Sequence, residues 1–410
     1  MKKKIAITAA AVAALVATTS CQHDETMEVN NGEGITFRAF TDNATRAVDV
    51  TQDGDNALAS FKVFAFGNAE ASQYDWDDTF TGSGNNWTTQ SGMKYYWPGD
   101  GTQLNFFAYN ESEVTGSATA TIERNGTTPA TIDASIEMTP DRDATNQKDL
   151  VVAYVTGSNN SNASSAVNIN FKHALSKITV KAENAEPNTY EIEIKGINLC
   201  RYDRTGVLTM PVATTDASYV WNENAWTTSN TADNANYYKV RTGTNAIVLD
   251  GKQDIPEITV TDGKSNPFMV VPQKKNAWTT GTELAEDDDL AYFSILCRIY
   301  QKDGKGGKSL IFPRPDSGQS IEELDGKFGL ASVGITSDWK PGINYTYTLS
   351  FFKDGGGAGT TDPDPNPDPD VDPENPDIPV VGGEIKWNVT VDAWTTGDDT
   401  NLKMDGTEVN

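Results

Sequence analysis

A two-residue alternation of apolar and polar side chains, repeated in many short segments, constrains this chain most. It is clear at residues 190–194 and 345–349, and strong β-formers fill residues 61–66. A period of two places successive side chains on opposite faces of a strand, whereas an amphipathic helix needs a period near 3.6 residues. Gly, Asn and Asp separate the segments, as turns between strands require. The best helical start, at residues 320–323, meets an Asp-Gly turn within about two turns. The sequence therefore predicts an all-β chain of sandwiches built from short strands.

The N-terminus has the three parts of an export signal. Lys2, Lys3 and Lys4 are followed by an apolar stretch, residues 5–17, that is too short to span a bilayer. Small residues then lead into Cys21, although Thr18 stands where most lipoprotein signals have leucine. We predict a lipoprotein signal peptide over residues 1–20 and a lipid on Cys21 that holds the chain at the outer membrane. The alternative is ordinary secretory cleavage beside an incidental cysteine.

The charge of the chain argues against nucleic acid as a partner. The chain has 32 basic and 58 acidic residues and a net charge of −26. Removal of the three N-terminal lysines gives 29 − 58 = −29. Such a chain repels nucleic acid and anionic lipid. We interpret the acidity as an aid to solubility at a crowded surface rather than as an acidic binding site.

Few residues have the chemistry of a metal, cofactor or catalytic site. The two histidines are His23, in the N-terminal tail, and His173, which we interpret as a hydrogen-bonded structural residue. Cys200 and Cys297 lie in strand-like runs and are compatible with one disulfide or, as we favour, two buried thiols. The short motifs of zinc proteases and lipases do not occur. We predict no cofactor, no metal and no enzymatic activity.

Composition changes sharply after residue 352. Three consecutive glycines lead into an alternating Asp-Pro run at residues 362–369, and prolines continue to Pro379. Proline favours extended polyproline-II geometry and the aspartates repel each other, so roughly 25 residues could reach some 70 to 80 Å at about 3.1 Å each. We predict a flexible acidic linker over residues 354–383.

An alternating strand lies near each end of the chain. In residues 384–410 the apolar side chains of the strand share one face: Ile385, Trp387, Val389, Val391 and Ala393. In residues 34–39 the corresponding face has Ile35, Phe37 and Ala39. A strand alone in water is not stable, so each must complete a sheet. The matching patterns suggest that one strand can replace the other.

Six motifs in order resemble one known family. They are the segments YYWP at 95–98 with LNFFAY at 104–109, QKDLVVA at 147–153, FKHALSKI at 171–178, FMVVPQ at 268–273, and WKPG at 339–342 before YTY at 345–347. Together they resemble the Bacteroides-type fimbrillins, the Mfa-like and FimA-like subunits of type V pili. The long Asp-Pro linker departs from that pattern.

The resemblance implies a fold and a maturation route. It implies two tandem transthyretin-like Greek-key β-sandwich domains, which we place at residues 47–168 and 169–353. It also implies that an arginine-specific protease removes a lipidated propeptide, residues 21–46, by cutting between Arg46 and Ala47. Arg38 is a less attractive site because it lies within the predicted strand. The cut removes the first strand with Ile35, Phe37 and Ala39.

Loss of an edge strand leaves a groove that another strand with the same alternation can fill. We hypothesise that residues 385–393 of one subunit fill the groove vacated by residues 34–40 of the next. Burial of Ile385, Trp387 and Val389 stabilises such a joint by about 1.5 to 3 kcal/mol for each side chain. The predicted function is a structural subunit of a cell-surface fimbria that contributes to adhesion, with other subunits as partners and host proteins or glycans as further ones.

Two alternatives remain open from the sequence. The chain contains nine tryptophans, and exposed ones could let a non-polymerising surface lipoprotein bind glycans or host proteins. The C-terminal strand could instead fold back onto its own domain, which the linker length permits. The protein would then be a self-capped tip or anchor subunit.

Overall fold

A computed structural model describes residues 34–41, 58–67, 72–83, 86–125, 131–210, 225–228, 236–251, 255–285, 289–315, 320–324, 326–364 and 379–394. Strands dominate the described residues, as the alternation predicts. The strands of the N-terminal half are β1 (Phe37–Thr41), β2 (Ser60–Phe66), β3 (Trp76–Ser83), β4 (Asn86–Thr89), β5 (Leu104–Tyr109), β6 (Ala118–Asn125), β7 (Thr131–Met138), β8 (Val151–Gly157) and β9 (Val167–His173).

The C-terminal half continues in the same way. Its strands are β10 (Ser176–Asn184), β11 (Tyr190–Cys200), β12 (Gly206–Thr209), β13 (Trp226–Thr228), β14 (Tyr237–Arg241), β15 (Ile247–Leu249), β16 (Val260–Thr261), β17 (Lys264–Ser265), β18 (Phe268–Val270), β19 (Lys274–Ala277), β20 (Leu290–Lys302), β21 (Lys308–Phe312), β22 (Gly329–Gly334), β23 (Ser337–Asp338), β24 (Ile343–Phe351), β25 (Thr360–Thr361) and β26 (Lys386–Ala393).

The helices are short. Two α-helical turns are α1 (Glu111–Val114) and α2 (Asn159–Asn162), and the 3₁₀ turns are Ser72–Tyr74, Ala144–Asn146, Ile321–Leu324 and Lys353–Gly355. Within the described ranges, no helix is long and apolar enough to cross a membrane.

The N-terminal half is organised around a seven-stranded sheet in the order β1-β9-β8-β5-β2-β3-β4. The sheet curls so that β1 lies against β4 and the inner faces of all seven strands share one core. Phenylalanines dominate this core, with Phe37, Phe61, Phe80, Phe106 and Phe171 in contact with one another as a group. A buried aromatic ring removes a large apolar area from water, so these rings account for much of the stability of this half.

The two halves share a second sheet, in the order β13-β12-β7-β6. Its first two strands come from the C-terminal half and its last two from the N-terminal half. A second core lies between this sheet and the outer face of the seven-stranded sheet, and it includes Phe107, Ile136, Leu208 and Met269. The halves are therefore joined by a continuous apolar core and by paired strands, not only by a connecting segment.

The C-terminal half is a sandwich of two sheets. One sheet has four strands in the order β18-β10-β24-β26, and the other has nine strands centred on β11 and β20. The largest core of the protein fills the space between them. Cys200 and Cys297 are both buried in this half and are not joined by a disulfide.

Two segment boundaries differ from those predicted. Strand β9 pairs with β1 and β8, so it belongs to the N-terminal sheet and the change to the C-terminal sandwich comes at residues 174–175 rather than 168–169. The motif at 171–178 misled the prediction because it contains both the end of β9 and the start of β10. The predicted linker, 354–383, is also partly folded: β25 pairs with β22, and Val380 is fully buried.

Candidate functional site

Strand β1 lies at the edge of the seven-stranded sheet, and its inward side chains are buried. It runs parallel to β9, with Phe37 opposite Val167. Phe37 and Ala39 on its inward face and Ile35 just before it, the residues predicted for the removable strand, are all less than 9% exposed. Just before β1, the Ile35 amide donates a hydrogen bond of 2.7 Å to the Tyr95 carbonyl. The backbone of this segment is thus held on both sides.

Phe37 is the centre of the aromatic core. Its ring centroid lies 4.9 Å from that of Phe80, 5.3 Å from that of Phe106 and 6.3 Å from that of Phe61, and all three contacts are edge-to-face. Edge-to-face pairs add about 0.5 to 1.5 kcal/mol each beyond the burial of apolar area. Removal of β1 therefore opens an aromatic-lined groove along β9.

Strand β26 contains the predicted donor residues and pairs with β24 of its own chain. The pairing is antiparallel and covers all of β26 at the edge of the four-stranded sheet. Ile385, just before the strand, is 2% exposed and Trp387 packs against the C-terminal core. Val391 is also partly buried, but Val389 in the middle of the strand is 40% exposed. The structure thus shows the C-terminal strand in cis.

The far end of β26 is anchored by Trp394, which the sequence reasoning missed. Trp394 is 3% exposed, and its ring stacks on that of His173 with centroids 4.3 Å apart and planes 3° from parallel. The Lys177 ammonium lies 5.2 Å from the Trp394 ring centroid, and the Trp394 amide donates to the Gly342 carbonyl at 2.9 Å. The signal in the sequence was a large aromatic residue that breaks the alternation directly after Ala393.

His173 connects this anchor to the N-terminal half. Its Nδ1 lies 2.8 Å from Oδ2 of the buried Asp149, consistent with the structural role predicted for it. The ring therefore has a fixed orientation when Trp394 stacks on it. Trp394 belongs to the core that joins the two halves, so the end of β26 reaches the junction between them.

The side chains of β1 are more deeply buried than those of β26. Along β1, buried and exposed side chains alternate without a break. Along β26, no side chain is fully buried, and full burial occurs only at the flanking Ile385 and Trp394. Strand β1 is held by buried side chains throughout, whereas β26 is held by backbone pairing, by its two buried ends and by the half-buried Trp387 and Val391.

Residues 357–364 form a glycine-rich strap that holds the start of β26 in place. The Gly357 amide donates to the Glu384 carbonyl at 2.9 Å, and the Ala358 amide donates to the Val381 carbonyl at 2.8 Å. In return, the Val380 amide donates to the Gly359 carbonyl at 2.9 Å. These bonds hold residues 357–359 beside residues 380–384. The residues just before β26 are therefore docked on the C-terminal sandwich.

Near its end the strap contains the buried carboxyl group of Asp362. Its Oδ1 accepts hydrogen bonds of 2.9 Å from the Tyr292 hydroxyl and from the Asp364 amide. Burial is the main cause that raises the pKa of Asp362 to about 7, and the nearby Asp364 carboxylate raises it further. Asp362 therefore carries a proton over much of the acidic range, where an exposed aspartic acid is ionised.

None of the tryptophans that the structure describes is exposed. Trp97, Trp278, Trp339 and Trp394 are buried, and the others in the described ranges are half-buried. A cleft of about 310 Å³ is lined by the half-buried Trp226 together with polar side chains of Gln273, Lys274, Asp338 and Lys340. Trp226 is fixed there because its indole N–H donates to the Ala174 carbonyl at 2.8 Å. The exposed stacking platforms expected of a glycan binder are not found among these tryptophans.

The predicted processing residues Cys21, Arg46 and Ala47 lie outside the described residues. Strand β1 ends at Thr41, N-terminal to Arg46, so a cut after Arg46 would place all of β1 on the released side. Among the described side chains, no group of three or more His, Cys, Asp or Glu residues is arranged to hold a metal ion.

Comparison with known proteins gives one family match and several similar solved structures. A family model described as fimbrillin-like matches residues 45–362. A crystal structure of a fimbrial protein from Bacteroides vulgatus is similar at 16% identity, covers 88% of this chain and 99% of that chain, and gives a TM-score of 0.48. A candidate cell adhesion protein from Bacteroides ovatus is similar at 11% identity over 90% of this chain and 99% of that chain, with a TM-score of 0.40. The comparison with curated proteins gave no significant match.

Proposed function

The chain belongs to the fimbrillin-like family, and on this premise we propose that it is a structural, non-enzymatic subunit of a cell-surface fimbria that contributes to adhesion. In this proposal the chain reaches the outer membrane as a lipoprotein through Cys21. An arginine-specific protease then cuts after Arg46, and the lipid leaves with the propeptide. Subunits polymerise when β26 of one copy enters the groove that β1 leaves in another.

The observation that supports this proposal best is the unequal burial of the two strands. Removal of β1 exposes a groove whose lining includes Phe61, Phe80 and Phe106. The same groove offers the unpaired edge of β9 to any strand that can continue the ladder. Strand β26 alternates in the required way and leaves Val389 40% exposed where it is now. Transfer to the groove would bury side chains that cis docking leaves in water.

The burial of apolar side chains along the strand favours transfer once β1 has gone. A fully buried Val, Leu, Ile, Phe or Met side chain contributes about 1.5 to 3 kcal/mol relative to an exposed one. In cis Val389 is 40% exposed, and Val391 and Trp387 are partly buried; full burial of the three in the aromatic groove adds to the stability. Transfer exchanges the antiparallel pairing of all eight residues of β26 with β24 for a parallel pairing with β9, where β1 now pairs over five residues. Before cleavage β1 occupies the groove, and the cis position is then the best one open to β26.

Proteolysis of the purified chain tests the proposal. We expect treatment with an arginine-specific protease to give a new N-terminus at Ala47 and a ladder of polymers that resists detergent. Arg46→Gln should abolish both, whereas Arg38→Gln, on the outward face of β1, should abolish neither. Intact monomers after complete cleavage at Arg46 would contradict polymerisation by strand exchange.

The cis pairing of β26 favours one second candidate, a self-capped tip or anchor subunit. The pairing extends over eight residues and ends in the buried Trp394. A self-capped subunit would offer its groove after cleavage but would keep β26 docked. Hydrogen exchange distinguishes the two roles. In cleaved monomers of a self-capped subunit, pairing with β24 keeps the amides of residues 386–393 protected from exchange. Such a subunit accepts donor strands only from other chains.

A further inference from the structure

We infer that the groove left by β1 accepts residues 385–391 of a second copy of this chain in one register, with Ile385 in the place of Ile35 and Trp387 in the place of Phe37. This inference rests on the proposed function and specifies the partner surface. Strand β1 runs parallel to β9, and in this inference the incoming strand takes the direction that β1 now has.

The aromatic position fixes the register. The Phe37 site is closed by the rings of Phe61, Phe80 and Phe106, which meet the Phe37 ring edge-to-face. Within residues 385–391, Trp387 is the one aromatic residue, so it alone can restore those contacts. The residue two positions earlier is isoleucine in both strands, because Ile385 precedes Trp387 as Ile35 precedes Phe37.

Registers that slip by one or two residues in the same strand direction fit the groove less well. A slip by one residue turns the polar side chains Lys386 and Asn388 into the core. A slip by two residues in one direction places Trp387 on the Ala39 site, which is 4% exposed and now holds a single methyl group, so an indole would overpack it. A slip by two in the other direction places Val389 at the Phe37 site and leaves a cavity among the rings.

The remaining positions fit with small adjustments. Val389 takes the place of Ala39, which adds two methyl groups, and Val391 takes the place of Thr41 at nearly the same volume. No proline occurs in residues 385–391, so every amide can join the ladder. Glu384 would replace Gly34, where an added Cβ lies 3.2 Å from the Tyr95 carbonyl oxygen. A shift of a few tenths of an ångström at that end relieves the contact.

The outward face provides a test of the register by cross-linking. Arg38 lies opposite Asn168 of β9, and both side chains are exposed. In the inferred register Asn388 of the second copy takes the place of Arg38, so Asn168→Cys and Asn388→Cys should form a disulfide after cleavage at Arg46. In the intact monomer Asn388 lies opposite Thr348 instead, so the bond reports transfer of the strand.

Two variants serve as matched controls. Lys386→Cys or Thr390→Cys, each combined with Asn168→Cys, moves the thiol two residues along the strand. The Cα atoms of such a pair are about 8 Å apart, beyond the roughly 7 Å that a disulfide allows. We expect about tenfold more cross-linked dimer from the 168/388 pair than from the 168/386 or 168/390 pair. Cys200 and Cys297 are buried, so they should not compete for the cross-link.

The outcomes separate the register from the proposed function. Polymers that cross-link best through 168/386 or 168/390 overturn the register and leave strand exchange intact. Polymers that form without any of the three cross-links overturn the inferred register and its parallel direction. A 168/388 cross-link within a single chain overturns the second copy as the occupant. Complete cleavage without polymers or cross-links overturns the proposed function together with this inference.

A graft tests the same fit in the uncleaved protein. Residues 35–41 are replaced in place by the sequence of residues 385–391, so that the chain covers its own groove. In the inferred register, the graft should retain a melting temperature within a few degrees of the unaltered chain. A matched graft of residues 387–393 puts Val389 at the Phe37 site and should melt at a clearly lower temperature. Equal melting of the two grafts, or loss of folding by the first alone, would overturn the register.

Discussion

Phe37→Ala is the substitution that most strongly tests the place of β1 in the N-terminal core. Phe37 is 1% exposed and meets three aromatic rings within 6.3 Å. Truncation of a buried phenylalanine to alanine costs about 3 to 5 kcal/mol because apolar contacts are lost and a cavity remains. Loss of three edge-to-face pairs places this site in the upper half of that range.

Phe40→Ala is the matched control for this prediction. Phe40 lies on the same strand but points outward and is 38% exposed. Its truncation should change the free energy of unfolding by about 0.5 kcal/mol or less, as is usual for surface positions. The two variants lose the same atoms from one strand, so a difference between them reports the burial of one face.

Urea unfolding of the uncleaved chain, followed by circular dichroism and tryptophan fluorescence, provides the measurement. We expect Phe37→Ala to lower the midpoint of the transition of the N-terminal half, with little change in slope. A loss below about 1 kcal/mol for Phe37→Ala, or equal losses for the two variants, would refute the reasoning. Either result would mean that β1 is not an integral part of the core and that its removal leaves no groove.

Three further predictions concern the C-terminal segment. Trp394→Ala should speed amide hydrogen exchange of residues 386–393 by about a hundredfold, because the strand loses the anchor at its far end. Substitution of the exposed Lys386 by alanine should leave the exchange rate unchanged. Unchanged exchange in Trp394→Ala would contradict the role of Trp394 as an anchor. In folded chains Asp362 keeps its proton up to about pH 7, whereas in unfolded chains the exposed carboxyl loses its proton near pH 3.8. The free energy of unfolding should therefore fall by up to about 4 kcal/mol as the pH rises from 4 to 7. Asp362→Asn should reduce that dependence in urea titrations at several pH values, and an unaltered slope would refute the assignment. Gly357→Ala places a Cβ 2.2 Å from the Gly383 amide nitrogen and should lower the melting temperature by several degrees. The added Cβ of Gly383→Ala meets no atom closer than 3.9 Å, so this control should melt nearly as the unaltered chain does. Equal melting temperatures of the two variants would contradict the close packing of the strap.

Local patterns predicted the strands well, because the period of two is a property of neighbouring residues. Residues 34–39 were predicted as a strand with Ile35, Phe37 and Ala39 inward, and β1 has those residues buried although it begins at Phe37 and ends at Thr41. The alternation of residues 385–393 likewise predicted β26 at Lys386–Ala393. Family and fold class also followed from motifs and alternation.

Long-range partners could not be predicted in the same way. The pairing of β12 with β7 joins residues about seventy positions apart, and no local pattern records it. The stacking of Trp394 on His173 depends on how two halves meet, so the sequence showed only an aromatic residue that breaks an alternation. The choice between cis and trans positions for β26 depends on which groove is open, and that changes with proteolysis.

The strap shows why composition misjudged the predicted linker. Its Gly, Asp and Pro residues are typical of solvated segments, yet Asp362 and Asp364 are buried. Asp362 tolerates burial because Tyr292 and the Asp364 amide donate to it and because its pKa is raised. Gly357 permits close contact with Val381 and Gly383, and Gly359 permits close contact with the Ser332 carbonyl, which larger residues would prevent. Composition records residue types but not these partners.

A complementation experiment tests the central claim most directly. One chain contains Arg46→Gln, so it keeps β1 and can only donate β26. The other lacks residues 384–410 and is cleaved at Arg46, so it can only accept. Neither should polymerise alone, and their mixture should give one detergent-resistant heterodimer and no longer species. A mixture that remains monomeric, or a truncated chain that forms polymers by itself, would contradict exchange of β26 for β1.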